Sequence, residues 1–281
     1  MKTSQLRREL HWSRLLLHLI IIIGAIVMAA PFIWMVTSSF KTLDQMFAVP
    51  PEFIPRPIVW TNFIESLQAL PFGRAYFNSF YITTIIVLAQ MITASMAAYA
   101  FAKIKFPGNN VLFVFFLATM MIPIQVTIIP LYLIMSSLGL LDNHLSIILP
   151  NALFNALGVF LLRQFMMTIP DSMEEAAIVD GANPLQIYWK IMLPLVRPPL
   201  AAFGIFAFVS MWNNFLQPLV FLYSTELATV PLMLQFFSSQ YATNWPQMMA
   251  GATISVLPVL IVYIIAQKQI IEGIALTGTK G

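Results

Sequence analysis

The run from Leu15 to Thr37, LLLHLIIIIGAIVMAAPFIWMVT, contains no Asp, Glu, Lys or Arg, and its reading decides the fold. A hydrocarbon layer roughly 30 Å thick is crossed by about 20 helical residues, because a helix satisfies its own backbone groups where no water is present. Comparable apolar runs follow at residues 78–102, 111–135, 144–163, 200–222 and 247–267. Composition agrees: 59% of residues are hydrophobic and 9% charged, whereas about a quarter are charged in a soluble domain. The sequence therefore predicts an all-α polytopic membrane protein, a single six-span transmembrane domain over residues 1–281. The first run exceeds the 7–15 residue core (about that length) of a signal peptide, so it is expected to be retained despite Ala29 and Ala30. Pro123 and Pro130 predict a kink in the third run, whose freed carbonyls neighbouring helices must satisfy.

Charge sets the expected orientation. With both termini inside, eleven of the fourteen Lys and Arg residues are cytoplasmic, and only Lys41, Arg56 and Arg74 lie outside. That asymmetry matches the positive-inside rule. The net charge of +3 is then a property of topology, and no basic patch interleaved with aromatics suggests nucleic-acid binding. The chain has no cysteine, and His11, His18 and His144 are scattered, so no metal site is expected.

Two outer loops differ in character. Residues 38–77 hold Pro50, Pro51, Pro55, Pro57 and Pro71 with Trp60, Phe63 and Phe72, which predicts an extended, ordered cap. Residues 223–246 carry a polar run in which Gln240, Tyr241, Asn244 and Trp245 are candidates for contact with an external protein or sugar. Trp245 equally suits an interfacial aromatic belt.

The inside loop 164–199 is the most specific part of the chain. Asp171 with Glu174 three residues on has capping-box spacing, and Gly181 is placed as a left-handed C′ residue. Asn183 is expected to cap a second helix opening at Pro184. Met173, Ala176 and Ala177 share one face of the first helix, where small alanines allow another surface to approach. Leu185, Trp189 and Met192 share a face of the second, expected to anchor the loop. Order on this scale points to function rather than a tether.

At these residues the chain resembles the inner-membrane permeases of bacterial ATP-binding-cassette importers, specifically the maltose-transporter-like carbohydrate branch. The family signature is matched without a gap at Glu175, Ala176, Ala177, Gly181, Ile191, Leu193 and Pro194. Asp180-Gly181-Ala182, Trp212-Asn213-Asn214-Phe215 and the ending from Glu272 to Gly281 extend the resemblance over essentially the whole chain. It implies that Glu175, Ala176, Ala177, Asp180, Gly181 and Ala182 form a coupling helix seated on a cytoplasmic ATPase. It also implies that the tail 268–281, through Thr277, Gly278 and Lys280, touches the ATPases. The implied partners are a second homologous permease, two ATPase subunits and an extracytoplasmic solute-binding protein. ATP and Mg would be bound by those partners, leaving no cofactor and no bond chemistry in this chain. The implied location is the bacterial inner membrane, with both termini cytoplasmic. Gly273, Gly278 and Lys280 do not make a phosphate loop, since Thr279 stands where its lysine is required.

A transport path is sought among polar side chains inside the spans, which in hydrocarbon usually face the interior. Ser210, Asn213 or Asn214, and Gln217 lie on one stripe of a continuous fifth span, and Asn155, Gln90 and Thr93 add neutral donors and acceptors. These groups either line a passage or hold helices together. A neutral, amide-lined passage suits a polyhydroxylated sugar. Glycerol phosphate is the alternative solute and calls for a cationic cavity. An ion-coupled carrier would place ionisable residues within its spans.

Overall fold

The computed structural model describes residues 2–153, 155–237 and 244–278, with side chains described between residues 14 and 267. Among the described residues all regular structure is helical. The chain divides into two compact units, Met1–Leu70 with Phe236–Ser255, and Pro71–Gln235 with Val256–Gly281.

The first unit contains α1 (Lys2–Ser38), α2 (Leu43–Met46) and α3 (Thr61–Ala69). Residues 15–28 of α1 are all exposed, whereas Ser38 at its end is buried. The proline-rich segment after it is ordered by specific contacts. Val59 N donates to Phe40 O at 2.9 Å, and Asn62 Nδ2 donates to the carbonyls of Ser39 and Lys41, each at 2.9 Å. Lys41 is fully buried with its ammonium 3.7 Å from the Trp34 ring centroid, and burial lowers its pKa. Thr42 and Gln45 close a capping box at the start of α2.

The second unit is built around α4 (Phe72–Lys103). Ala75, Ile82, Ile86, Ala94 and Ala98 are buried along it, at the multiples of three, four and seven that define one helix face. After it come α5 (Asn109–Ala118), α6 (Ile124–Ser137), α7 (Leu145–Ala152) and α8 (Ala156–Met166). The loop helices α9 (Ser172–Val179), α10 (Pro184–Ile187) and α11 (Leu193–Leu195) follow, then α12 (Arg197–Trp212), α13 (Leu216–Phe221) and α14 (Val230–Gln235). Helix α15 (Trp245–Gly278) begins in the first unit and ends in the second. Helices α8 and α12 approach closely where α8 has Gly158: a Cβ added there would lie 2.4 Å from Phe203 Cζ.

Four helical stretches are long and apolar enough to cross a membrane, rising to six if two bent pairs each count as one. Three of the expected runs prove to be broken. The third turns by 98° between Asn109–Met121 and Ile124–Ser137, because Ile122, preceding Pro123, is forced into extended backbone. Pro130 stays inside α6, so only Pro123 makes the break. In the fourth, α7 ends at Ala152 and α8 begins at Ala156, with Asn155 extended and capping α8 by accepting from Gly158 N at 2.9 Å. The fifth is not continuous either: α12 ends at Trp212 and α13 begins at Leu216. Pro218 has no N–H for the carbonyl of Asn214, and Asn213 Nδ2 takes the Val209 carbonyl at 2.8 Å. Ser210, Asn213 and Gln217 therefore do not share one helical stripe.

Candidate functional site

The signature loop forms two short helices about a glycine hinge. Gly181 has φ +80°; Ala182 N donates to Ala177 O at 2.9 Å and Gly181 N to Ile178 O at 3.0 Å. Those paired bonds are a Schellman ending, which favours a residue without a Cβ. Asn183 and Gln186 exchange side-chain-to-backbone bonds of 2.9 Å each, with Pro184 opening α10.

The capping box expected at Asp171 and Glu174 is not formed. Asp171 occupies the N-cap position without a side-chain cap; its Oδ1 instead accepts from Lys103 Nζ at 2.5 Å. Glu174 Oε1 accepts from Tyr99 OH at 2.9 Å. Partners on α4 have displaced the local ones, and the Lys103 ammonium holds the Asp171 carboxyl below its ordinary pKa. Lys103 Nζ also donates to Ile169 O at 2.7 Å.

The anchoring face of the second arm also differs from expectation. Residues Tyr188–Met192 form a π turn, with Pro194 leaving the Lys190 carbonyl without a helical donor. Ile187, Tyr188 and Met192 are buried, whereas Leu185 is 58% and Trp189 48% exposed. Of the three expected anchors only Met192 serves. On the first arm Ala177 is buried, while Ala176 and Glu175 are exposed and Val179 is 86% exposed. Asp180 is exposed and Ala182 half-buried beside the hinge. The loop thus offers water an apolar surface of Ala176, Val179, Leu185 and Trp189. Beside α9 lies an open cavity of about 700 Å³, whose lining includes Lys103, Lys105 and Arg163 opposite Asp171, Glu174 and Glu175. The segment ends at buried Val196, where Pro184–Leu195 meets α12 at 79°.

A second polar feature connects the breaks in the spans. Asn155 Nδ2 donates to Gln90 Oε1 at 2.9 Å, and Gln90 Nε2 donates to Asn151 O at 2.7 Å. Asn151 Nδ2 donates to Gln217 Oε1 at 2.7 Å, and Asn214 Nδ2 reaches the same oxygen at 2.6 Å. Five amide side chains from α4, α7, the start of α8 and the α12–α13 break form this belt. Gln90 and Gln217 are buried, whereas Ser210 and Asn213 are exposed. The structure assigns Asn155, Gln90, Asn214 and Gln217 to one hydrogen-bonded chain and leaves Ser210 and Asn213 at the surface. Thr93 donates to Ala89 O at 2.9 Å.

Asn244 and Trp245 begin α15 beside a cavity of about 370 Å³ lined in part by Thr42, Asn62, Glu65, Asn244 and Gln247. Gln247 Nε2 donates to Glu65 Oε2 at 2.7 Å. Gln240, Tyr241 and Lys280 lie outside the described residues. Thr277 and Gly278 close the last helix. Sequence reasoning missed Tyr99, Lys103 and Asn151. A basic residue ending one span and an amide within another were the available signals, but their partners are 75, 68 and 66 residues away.

Apolar spans broken at polar points, with an ordered loop displayed beyond them, are the architecture of a transport permease. The chain belongs to the family of binding-protein-dependent transport system inner membrane components, whose model matches residues 90–275. It is 32% identical to the arabinooligosaccharides transport system permease AraQ of Halalkalibacterium halodurans, over 92% of this chain and 93% of that one. The sn-glycerol-3-phosphate transport system permease UgpE of Yersinia enterocolitica is 31% identical, over 92% and 94%. A chain of a bacterial ABC transporter importing the acidic polysaccharide alginate matches in structure with TM-score 0.78 and 29% identity, over 90% of this chain and 95% of that one. The protein is an ATP-binding-cassette importer permease of the inner membrane.

Proposed function

We propose that this permease pairs with a second, related permease to form the path for a sugar or oligosaccharide, and that separate ATPase subunits drive it through the loop 170–196. ATP and Mg belong to those subunits, and a solute-binding protein delivers the sugar from outside. The observation that carries the reading is the exposed apolar surface of Ala176, Val179, Leu185 and Trp189 around the Gly181 hinge, with Glu175 beside it. A stable, water-facing surface of that kind fits a protein partner.

Nucleotide-driven movement of the ATPases displaces the loop, and differential contact with their open and closed forms biases the permease between inward-open and outward-open states. Both termini lie in the cytoplasm, and the tail with Thr277, Gly278 and Lys280 reaches the ATPases. Gln240, Tyr241, Asn244 and Trp245 face the binding protein. In the path itself Ser210 and Asn213 are the residues free to meet solute, with Asn155, Asn214 and Gln217 holding the walls. Amides and hydroxyls of this kind match a neutral polyol, whereas a phosphorylated solute calls for a cation among them.

The test is copurification followed by reconstitution. The tagged permease is expected to bring down an ATPase and a second permease, and the reconstituted complex to raise its ATP turnover with one member of a panel of mono- and oligosaccharides. Stimulation by glycerol phosphate alone would replace the sugar, and uptake by this chain alone on a proton gradient would overturn the importer mechanism. Glu175→Ala should weaken ATPase attachment or coupling while the permease still assembles.

A further inference from the structure

Three polar residues of α4 stand four apart and face the loop. Ser95 Oγ and Tyr188 OH share a hydrogen bond of 2.7 Å, Tyr99 OH donates to Glu174 at 2.9 Å, and Lys103 Nζ holds Asp171 at 2.5 Å and the Ile169 carbonyl at 2.7 Å. The spacing i, i+4, i+8 places them on one stripe. The stripe grips both arms of the hinged loop: Tyr99 and Lys103 take the first, and Ser95 takes Tyr188 in the π turn of the second. The Tyr99 and Tyr188 rings also meet at 5.8 Å. Tyr99 and Tyr188 are buried and the Lys103 side chain is 4% exposed, while its partner Asp171 is 79% exposed, so the α4 side of each grip is sheltered from water.

The opposite end of α4 holds a different segment in the same manner. Asn78 Nδ2 donates to the carbonyls of Glu226 and Ala228 at 2.9 and 3.0 Å. Ser79 Oγ accepts from Val230 N at 2.8 Å. Between the two ends α4 runs for 32 residues without an interior proline, about 48 Å at 1.5 Å per residue, whereas α1, α6, α7 and α15 each contain one. Proline-free helix resists kinking.

We propose that Ser95, Tyr99 and Lys103 are positioning residues through which displacement of the loop enters α4, and that α4 carries it as one rigid body to the segment Glu226–Val230. The proposal rests on the reading that an ATPase docks on the loop. A stripe that merely stabilised the loop would leave the far end of α4 indifferent to nucleotide, so the far end is where the test is read.

The native chain has no cysteine, so Glu226→Cys gives it a single label site, read on this chain's own band after separation of the subunits. The assembled transporter carrying it is reconstituted with its ATPases, and maleimide labelling is followed with and without Mg-ATP plus vanadate. Nucleotide is expected to change the labelling rate at least threefold. Tyr99→Phe combined with Lys103→Met should reduce that response to less than a fifth without changing the yield of copurified ATPase, and Lys103→Arg with Tyr99 intact should retain it. An undiminished response in the double variant, or none in the parent, overturns the proposal. Should the double variant assemble poorly, Lys103→Cys with Asp171→Cys, bridged by a short bis-thiol linker beside a Glu226 label installed by an orthogonal chemistry, provides the second arm. The bridged protein should keep the response, and its loss on bridging also overturns the proposal. Failure of the parent to bring down any ATPase would instead remove the docking reading.

Discussion

At Gly181 the backbone lies at φ +80° while the space where a Cβ would point is empty, so the demand for glycine is conformational and owes nothing to crowding. Gly181→Val should strain the hinge by about 1–2 kcal/mol and appear as faster proteolysis of the 170–196 segment. Gly158 poses the opposite case, with open backbone but no room beside Phe203. Gly158→Ala should cost about 1–3 kcal/mol through overpacking, measured as a lower Tm in detergent. At Asp171 the lowered carboxyl pKa contributes stability that is present above the ordinary aspartate value and is lost as pH falls through the lowered, folded one. Carbon NMR of a labelled Asp171 should therefore find its titration moved up towards the ordinary aspartate range in Lys103→Met.

At the scale of elements, the sequence made the helices legible but hid how they end. Long uncharged runs announce spans, because hydrocarbon tolerates little else, and the Asn183-Pro184 and Gly181 signals are local rules that the folded chain obeys. The breaks at Asn155 and at Asn213–Phe215 arise where amide side chains and Pro218 compete with the backbone ladder, inside runs whose apolarity masks them. The failed capping box at Asp171 and Glu174 has a different cause: Lys103 and Tyr99 offer partners whose distance along the chain leaves no local trace. The amide belt belongs to this scale as well. Gln217→Leu removes the acceptor shared by the half-buried Asn151 and Asn214, and the lost hydrogen bonds should cost about 1 kcal/mol. Ser210→Ala, at an exposed site, should leave the stability within about 0.5 kcal/mol of the parent's and change only the uptake rate. If Ser210→Ala transports normally on the sugar that stimulates the parent, that hydroxyl takes no part in the path.

For the molecule as a whole, the legible part of the function lay in seven spaced residues from Glu175 to Pro194, and the structure adds what they hang from. Within the signature Glu175, Ala176 and Gly181 are exposed, whereas Ala177 is buried and Ile191, Leu193 and Pro194 are half-buried. Its neighbours Asp171, Glu174, Tyr188 and Met192 make the attachments. That division of labour makes the signature readable by spacing while its supports are not. Helix α1 carries a related lesson. A greasy rod exposed from Leu15 to Met28 leans on later residues of its own unit only near its end, where Trp34 meets Lys41 and Phe53. It can enter the bilayer as soon as it emerges from the ribosome and settle its sideways position against lipid or another subunit, so the order of synthesis need not wait on the order of assembly.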